Sequence, residues 1–210
     1  ATPRPKPIYL PWLRREFCPK RLQRADVVLL VDSSDSMLDP TRAGRSKLAA
    51  AVEAAGRFVA LMDYAAGDST AVVAFNARAS TVLPLSRDRA AILAALQQIP
   101  QATGTRIDLG LAAAGEVLRG PLRRPANAAV VILLTDGRPT GTTAEEVLAA
   151  ADPLHQQGVL VYSIGLGEDL DAALLTRIAR LPERLLLAPD AEDLLQVYER
   201  IARELPCDGP

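Results

Sequence analysis

Short apolar segments alternate with longer segments of helical periodicity along most of the chain, and this alternation constrains the fold more than any other feature. The segments VVLLV at 27–31 and AVVILL at 129–134 are apolar at every position. Such strands are typical of a parallel sheet that is covered on both faces. Helices of ten or more residues between strands predict βαβ units. We therefore expect an α/β fold with a doubly wound, mainly parallel central sheet and helices on both faces.

The individual elements follow from apolar spacing and from turn residues. Strands are predicted at 26–31, 68–76, 79–86, 128–135, 159–167 and 184–188. Helices are predicted at 47–64, 87–99, 106–120, 143–158, 171–181 and 191–206. Pro84 predicts that the third strand is a short strand at the sheet edge, and the fold class that we expect includes one short antiparallel edge strand. Ser46 is placed to cap the first helix, and Pro153 predicts a kink or a break near Ala151 in the fourth.

The length of 210 residues suits one domain with a large core. The opening ATPRPKPIYLPW contains four prolines and is typical of an extended tether. We therefore predict a tether at 1–25, a folded domain at 26–206 and a short tail at 207–210.

The two cysteines, Cys18 and Cys207, flank the patterned region. Because the ends of compact domains often lie close together, we predict a disulfide between them. Such a bond would place the protein in an oxidising, extracytoplasmic compartment. Two unrelated free thiols are the alternative.

The charge of the chain is nearly balanced, with 24 basic and 25 acidic residues and a formal net charge of -1. That balance argues against a nucleic acid partner held by bulk electrostatics. No apolar run reaches the roughly 18 residues that a membrane span needs. We therefore expect no membrane insertion by this segment.

Polar side chains follow two of the most apolar strands. Asp32, Ser34 and Ser36 follow the first strand, Asp136 follows the strand at 128–135, and Thr105 begins a helix. Ligands of such sheets bind at the carboxyl ends of the strands. Hydroxyls and carboxylates are the hard oxygen ligands preferred by Mg²⁺, Mn²⁺ and Ca²⁺. We therefore expect three loops to form a cation site at one edge of the sheet.

Three motifs in this order resemble one known family. DSSDS at 32–36, GTRIDLGL at 104–111 and LLTDGRP at 133–139 are similar to the metal-ion-dependent adhesion site (MIDAS) of von Willebrand factor type A (vWA) domains. The segments VYSIGLGEDLDAALLTRIA and DAEDLLQVYERIA resemble the bacterial branch of the family. The resemblance covers about 26–204 and implies a Rossmann-like vWA fold.

The resemblance also implies a function. By this resemblance, the chain would bind Mg²⁺, Mn²⁺ or Ca²⁺ through Asp32, Ser34, Ser36, Thr105 and Asp136. One further ligand position of the cation would take an Asp or Glu carboxylate of a protein partner. The implied protein is a metal-dependent binding or adhesion module and not an enzyme. We expect it to be a monomeric domain of a larger secreted or surface chain.

Several positions near this motif set have alternative interpretations. Thr103 is a rival for Thr105, which could also simply cap its helix. Asp35 stands where the family often has glycine, so its side chain either faces solvent or adds negative charge beside the cation. Arg106 and Arg138 could steer an acidic partner or be solvated rim charges.

The remaining side chains near the site have no predicted role there. His155, the only histidine, is expected to be a surface residue of a helix and not a ligand. Asp39 and Asp108 lie near the motifs in sequence without an assigned role.

Other classes of function remain open to test. The main alternative is a vWA assembly subunit that works beside an AAA-type ATPase inside the cell, for which free thiols would be evidence. A hydrolytic enzyme is another possibility, but this sequence has no His, Glu or Lys that is evidently placed to act as a general base. A purely structural domain with a vestigial site would bind no cation.

Overall fold

A six-stranded sheet forms the centre of the protein in the computed structural model, which describes residues 24–167 and 170–205. Its strands are β1 (Ala25–Asp32), β2 (Ser69–Phe75), β3 (Ala79–Ser86), β4 (Ala128–Thr135), β5 (Leu160–Leu166) and β6 (Leu185–Ala188). The strand order is β3-β2-β1-β4-β5-β6. Only β3, at one edge, pairs in the antiparallel sense. The predicted fold class and the antiparallel edge strand are therefore confirmed.

Three helices cover each face of the sheet. The helices α1 (Lys47–Leu61), α2 (Arg89–Leu96) and α6 (Leu194–Glu204) pack on one face. The other face is covered by α3 (Ile107–Arg119), α4 (Ala144–Gln156) and α5 (Ala172–Ala179). All eight residues of β1 are buried, and its apolar residues alternate between the two cores. Burial on both faces explains why residues 27–31 of β1 and 129–134 of β4 are apolar at every position.

The helix termini follow the expected capping chemistry, with one correction. The Ser46 hydroxyl accepts a hydrogen bond from the backbone N–H of Ala49 at 3.2 Å and so caps α1, as predicted. Of the kink or break predicted near Ala151, the break is wrong, because α4 continues through Pro153 to Gln156. Proline removes one hydrogen bond near the end of this helix, and the buried side chains of α4 hold it on the sheet.

The close approach of α3 to the sheet depends on a glycine. A Cβ atom at Gly110 would lie 3.0 Å from the Phe75 ring and 3.1 Å from Leu30. Any larger residue would force α3 away from β1 and β2. Gly110 therefore fixes the position of the loop that precedes α3.

Two predictions concern residues outside the part of the chain that the structure describes. The Cys18–Cys207 disulfide and the tether at 1–25 both remain predictions, although β1 already begins at Ala25. Within the described ranges, no helix combines the length and the apolar character that crossing a bilayer requires.

Candidate cation site

The carboxylate of Asp32, at the end of β1, is fully buried and held by hydrogen bonds on both oxygens. Its Oδ1 accepts the backbone N–H of Ser34 at 2.9 Å. Its Oδ2 accepts the hydroxyl of Thr135, at the end of the neighbouring β4, at 2.6 Å. The parallel pairing of β1 with β4 brings these two strand ends together.

Burial raises the pKa of Asp32 to about 6. The hydrogen bonds from Thr135 and Ser34 lower the pKa and oppose this effect, whereas the nearby negative charge of Asp136 raises it further. A positive charge beside Asp32 would favour its ionised form. A cation bound beside Asp32 would therefore stabilise this buried carboxylate in its ionised form.

The two motif serines connect Asp32 to the loop after β4. A short 3₁₀ helix at Asp35–Leu38 turns the chain, and the hydroxyls of Ser34 and Ser36 lie 3.1 Å apart. The Ser36 hydroxyl donates a hydrogen bond to Oδ1 of Asp136 at 2.8 Å. Residues 100 positions apart in the chain thus form one polar cluster.

Thr105 is buried in the loop that precedes α3, and hydrogen bonds join this loop to the loop after β4. Its N–H donates to the Thr140 hydroxyl at 2.7 Å, and the Thr140 N–H donates to the Thr105 carbonyl at 3.0 Å. The N-cap residue of α3 is Arg106, so Thr105 is not the cap. The rival Thr103 is exposed.

Lys47, at the first residue of α1, is a site residue that the sequence reasoning missed. Its Nζ donates to Oδ2 of Asp136 at 2.7 Å and lies 3.7 Å from Oδ2 of Asp39. The Asp136 side chain is completely buried and that of Lys47 is 24% exposed, so the carboxylate of this ion pair is shielded from water while the lysine reaches the surface. A lysine at a helix N-terminus opposes the helix dipole, and that conflict is the signal by which the sequence could have revealed it.

The two arginines beside the cluster differ in their surroundings, and their role in steering a partner stays a prediction. The Arg106 guanidinium makes two hydrogen bonds, at 2.9 and 2.6 Å, to Asp108 and holds the pKa of that carboxyl below its ordinary value. Arg138 and Asp35 are exposed, so the Asp35 side chain faces solvent. Arg106 is thus committed to an intramolecular partner, and Arg138 lies on the accessible rim.

His155 is half-buried and lies away from the cluster, at the C-terminal end of α4. Its Nε2 is 2.9 Å from the carbonyl oxygen of Ile178 in α5, to which the ring N–H donates. Burial lowers the pKa of His155. The histidine connects two helices, so its expected position on the surface is only partly correct.

The donor set is chemically suited to a hard divalent cation. Two carboxylates and three hydroxyls come from Asp32, Ser34, Ser36, Thr105 and Asp136, and oxygen donors of this kind fit Mg²⁺, Mn²⁺ or Ca²⁺. Within 24–167 and 170–205, no group of three or more Asp, Glu, His or Cys side chains could hold a metal ion. Any cation held by this cluster therefore depends on hydroxyl ligands.

Comparison with known proteins identifies relatives of this architecture. A family model described as von Willebrand factor type A domain matches residues 26–200. Human matrilin-1 is 31% identical over 94% of this chain and 39% of its own length. The mouse collagen alpha-6(VI) chain is 36% identical over 38% of this chain and 3% of its own length. The chain therefore spans a minor part of these relatives.

Solved structures share the fold. A von Willebrand factor type A structure from Catenulispora acidiphila has a TM-score of 0.74 and 25% identity, over 87% of this chain and 42% of that chain. Proximal thread matrix protein 1 from the mussel byssus, with a zinc-occupied MIDAS motif, has a TM-score of 0.73 and 24% identity, over 88% of this chain and 46% of that chain. The second likeness shows the fold alone. With curated relatives from human and mouse, assignment to the bacterial branch stays a prediction.

Proposed function

This chain belongs to the von Willebrand factor type A domain family, and from that membership we propose that it is a metal-dependent protein-binding module that captures a carboxylate of its partner. Domains of this family mediate protein–protein interaction. The finer proposal is that Asp32, Ser34, Ser36, Thr105 and Asp136 hold a divalent cation, with Mg²⁺ as the expected ion. Its role is binding and not turnover.

The hydrogen-bonded cluster at the carboxyl edge of the sheet is the observation that supports this proposal. Asp32 and Asp136 are both buried, and hydroxyls of Thr135 and Ser36 donate to them. Buried carboxylates are costly unless they are paired or coordinate a metal. Asp136 has the Lys47 ammonium as a counter-charge, and a cation ligated by Asp32 would offset the cost of the other carboxylate. The cluster also lies where ligands of such sheets bind.

The mixture of ligand types determines what the site could do next. Ser34, Ser36 and Thr105 would bind through neutral hydroxyl oxygens, so only the two acids would reduce the charge of the ion. A bound divalent cation would supply an electrophilic centre for a further oxygen ligand. Exposed Leu38 lies next to the site on the 3₁₀ helix and offers apolar contact to a partner that places a carboxylate there.

We also propose that the module works outside the cell or at its surface. The relatives include a collagen chain, a matrilin and a byssal thread matrix protein. A disulfide between Cys18 and Cys207 would agree with this location. Mass spectrometry of the native protein with and without reductant tests it, and two free thiols would favour the alternative role inside the cell.

Cation binding is the first test of the proposed function. Calorimetric titration with Mg²⁺, Mn²⁺, Ca²⁺ and Zn²⁺ should give one site per chain, which Asp32→Asn and Ser36→Ala should each weaken or abolish. Asp35→Asn is the matched control, because Asp35 is exposed and its removal should leave the site intact. The proposal would be contradicted if none of the four ions bound to the unmodified protein.

Carboxylate capture is the second test. Peptides selected from a random library on the Mg²⁺-loaded protein should share an Asp or Glu. Their binding should be lost with a chelator and when that acid is replaced by its amide. Selected peptides that bind equally well in chelator would show a different mode of recognition.

A further inference from the structure

The ammonium group of Lys47 lies on the carboxylate that the proposed cation site requires. Its Nζ is 2.7 Å from Oδ2 of Asp136, and the Lys47 side chain is 24% exposed while that of Asp136 is 0% exposed. Oδ1 of the same carboxylate accepts the Ser36 hydroxyl. Both oxygens of Asp136 therefore have donors within the protein.

The position of Lys47 at the N-terminus of its helix is electrostatically unfavourable unless another contact stabilises the ammonium group. Lys47 is the first residue of α1, and the first turn of this helix contains no acidic residue. A positive charge there is repelled by the N-terminal end of the helix dipole. The ion pair with Asp136 compensates this repulsion, so the favourable contact of this lysine is with the site and not with its own helix.

A lysine is also better suited than an arginine to a charge that can leave the Asp136 carboxylate when another cation binds there. Lysine carries a compact charge on a flexible stem, whereas the arginine fork would bind a carboxylate through two hydrogen bonds. Nearly all the other basic residues of the chain are arginine, and Lys47 is the one lysine within the described ranges. A second acceptor is close, since Oδ2 of Asp39 lies 3.7 Å from Nζ and is largely exposed.

We propose that Lys47 is a resident counter-cation that pairs with Asp136 and competes with the divalent cation for it, so that this residue sets the cation affinity of the site. When a divalent ion binds Asp136, the Lys47 ammonium is displaced toward Asp39 and solvent. This inference rests on the proposed cation site but concerns its affinity and not its existence. Occupancy would then follow the ambient concentration of divalent ions.

The test combines cation affinity with stability in chelator. Lys47→Met and Lys47→Gln should each bind Mg²⁺ roughly tenfold or more tightly than the unmodified protein in calorimetry, because a unit charge next to the ion is removed. Both variants should melt at a lower temperature than the unmodified protein in EDTA, because Asp136 loses its counter-charge. Saturating Mg²⁺ should remove that difference. Lys47→Gln keeps a hydrogen-bond donor and covers the case in which Lys47→Met does not fold.

Arg57→Met is the matched control for net charge. Arg57 is exposed on the same helix, ten residues and so about 15 Å further along, and its removal should leave the affinity within about twofold. Equal Mg²⁺ affinity in the Lys47 variants and the unmodified protein would overturn the Lys47 inference and leave the cation site standing. Binding by the Lys47 variants but not by the unmodified protein would support the Lys47 inference and contradict metal-dependent binding by the unmodified protein. No binding by any of the proteins would overturn both proposals.

Discussion

Thr135 donates its hydroxyl hydrogen bond to Oδ2 of Asp32 at 2.6 Å, from the end of one central strand to the end of its neighbour. Both side chains are fully buried. This contact fixes the direction of the Asp32 carboxylate, which is one of the proposed cation ligands. Groups that orient a metal ligand in this way commonly affect metal affinity strongly.

Replacement of Thr135 by valine should therefore weaken cation binding. Thr135→Val keeps the shape of the side chain but frees the Asp32 carboxylate, and we expect the cation dissociation constant to rise about 10- to 100-fold. Calorimetry at pH 7.5 measures this change. Thr70→Val is the control, because it removes another buried strand hydroxyl, which is paired with Tyr64. Equal affinities for the two variants would contradict the positioning role.

The raised pKa of Asp32 predicts a pH-dependent effect of the cation on stability. Because the pKa is about 6 in the folded chain and 3.8 as its ordinary value, the folded state holds this proton more tightly. The contribution of Asp32 thus favours folding at acidic pH and is lost as the pH rises through about 6. A bound cation favours the ionised form and should offset that loss.

Melting curves with and without MgCl₂ at pH 5, 6, 7 and 8 measure this effect. The increase in Tm caused by Mg²⁺ should grow between pH 5 and pH 7 and then level off. Asp32→Asn should show little increase at any pH. An increase in Tm that is independent of pH in the unmodified protein would contradict the assignment.

The packing of Gly110 against the sheet predicts opposite effects for two glycine-to-alanine changes. Gly110→Ala places a methyl group 3.0 Å from the Phe75 ring, and we expect a loss of about 1–3 kcal/mol in the free energy of unfolding. Gly56→Ala in α1 meets only Leu93 at 3.6 Å, an ordinary contact. It should gain about 0.5–1 kcal/mol from helix propensity. Urea denaturation distinguishes the two, and a Gly110→Ala protein as stable as Gly56→Ala would contradict the packing argument.

Asp26 is a buried acid at the amino-terminal edge of the sheet, opposite the cation site, and it should affect stability without affecting that site. Asp26, near the start of β1, accepts hydrogen bonds from Ser69 at 2.6 Å, Asn127 at 2.7 Å, Arg123 at 2.9 Å and the backbone N–H of Arg124 at 2.8 Å. Asp26→Asn removes the charge and introduces a donor among donors, so we expect a loss of about 3 kcal/mol.

Denaturation and calorimetry together test this separation between the two edges. The Asp26→Asn protein should bind Mg²⁺ with unchanged affinity at a temperature well below its Tm. A parallel loss of affinity would show that the two ends of β1 are coupled.

Local pattern was sufficient to predict the architecture of this protein. The apolar runs of β1 and β4 and the helical spacing between them predicted strands covered on both faces, because the period of apolar residues depends only on neighbouring positions. The order of the motifs likewise predicted that Asp32, Ser36 and Asp136 would meet. Parallel strands place their carboxyl ends at one edge, and the structure brings these side chains together there.

Contacts between distant residues were decided only by the tertiary structure. The ion pair of Lys47 with Asp136 joins residues 89 positions apart, and the commitment of Arg106 to Asp108 depends on side-chain direction at the start of α3. The continuation of α4 through Pro153 likewise depends on packing, which outweighs a local helix-breaking preference. A sequence pattern specifies which face of an element is buried, whereas the partner of a charged side chain depends on which loops the completed sheet brings within a few ångströms of each other.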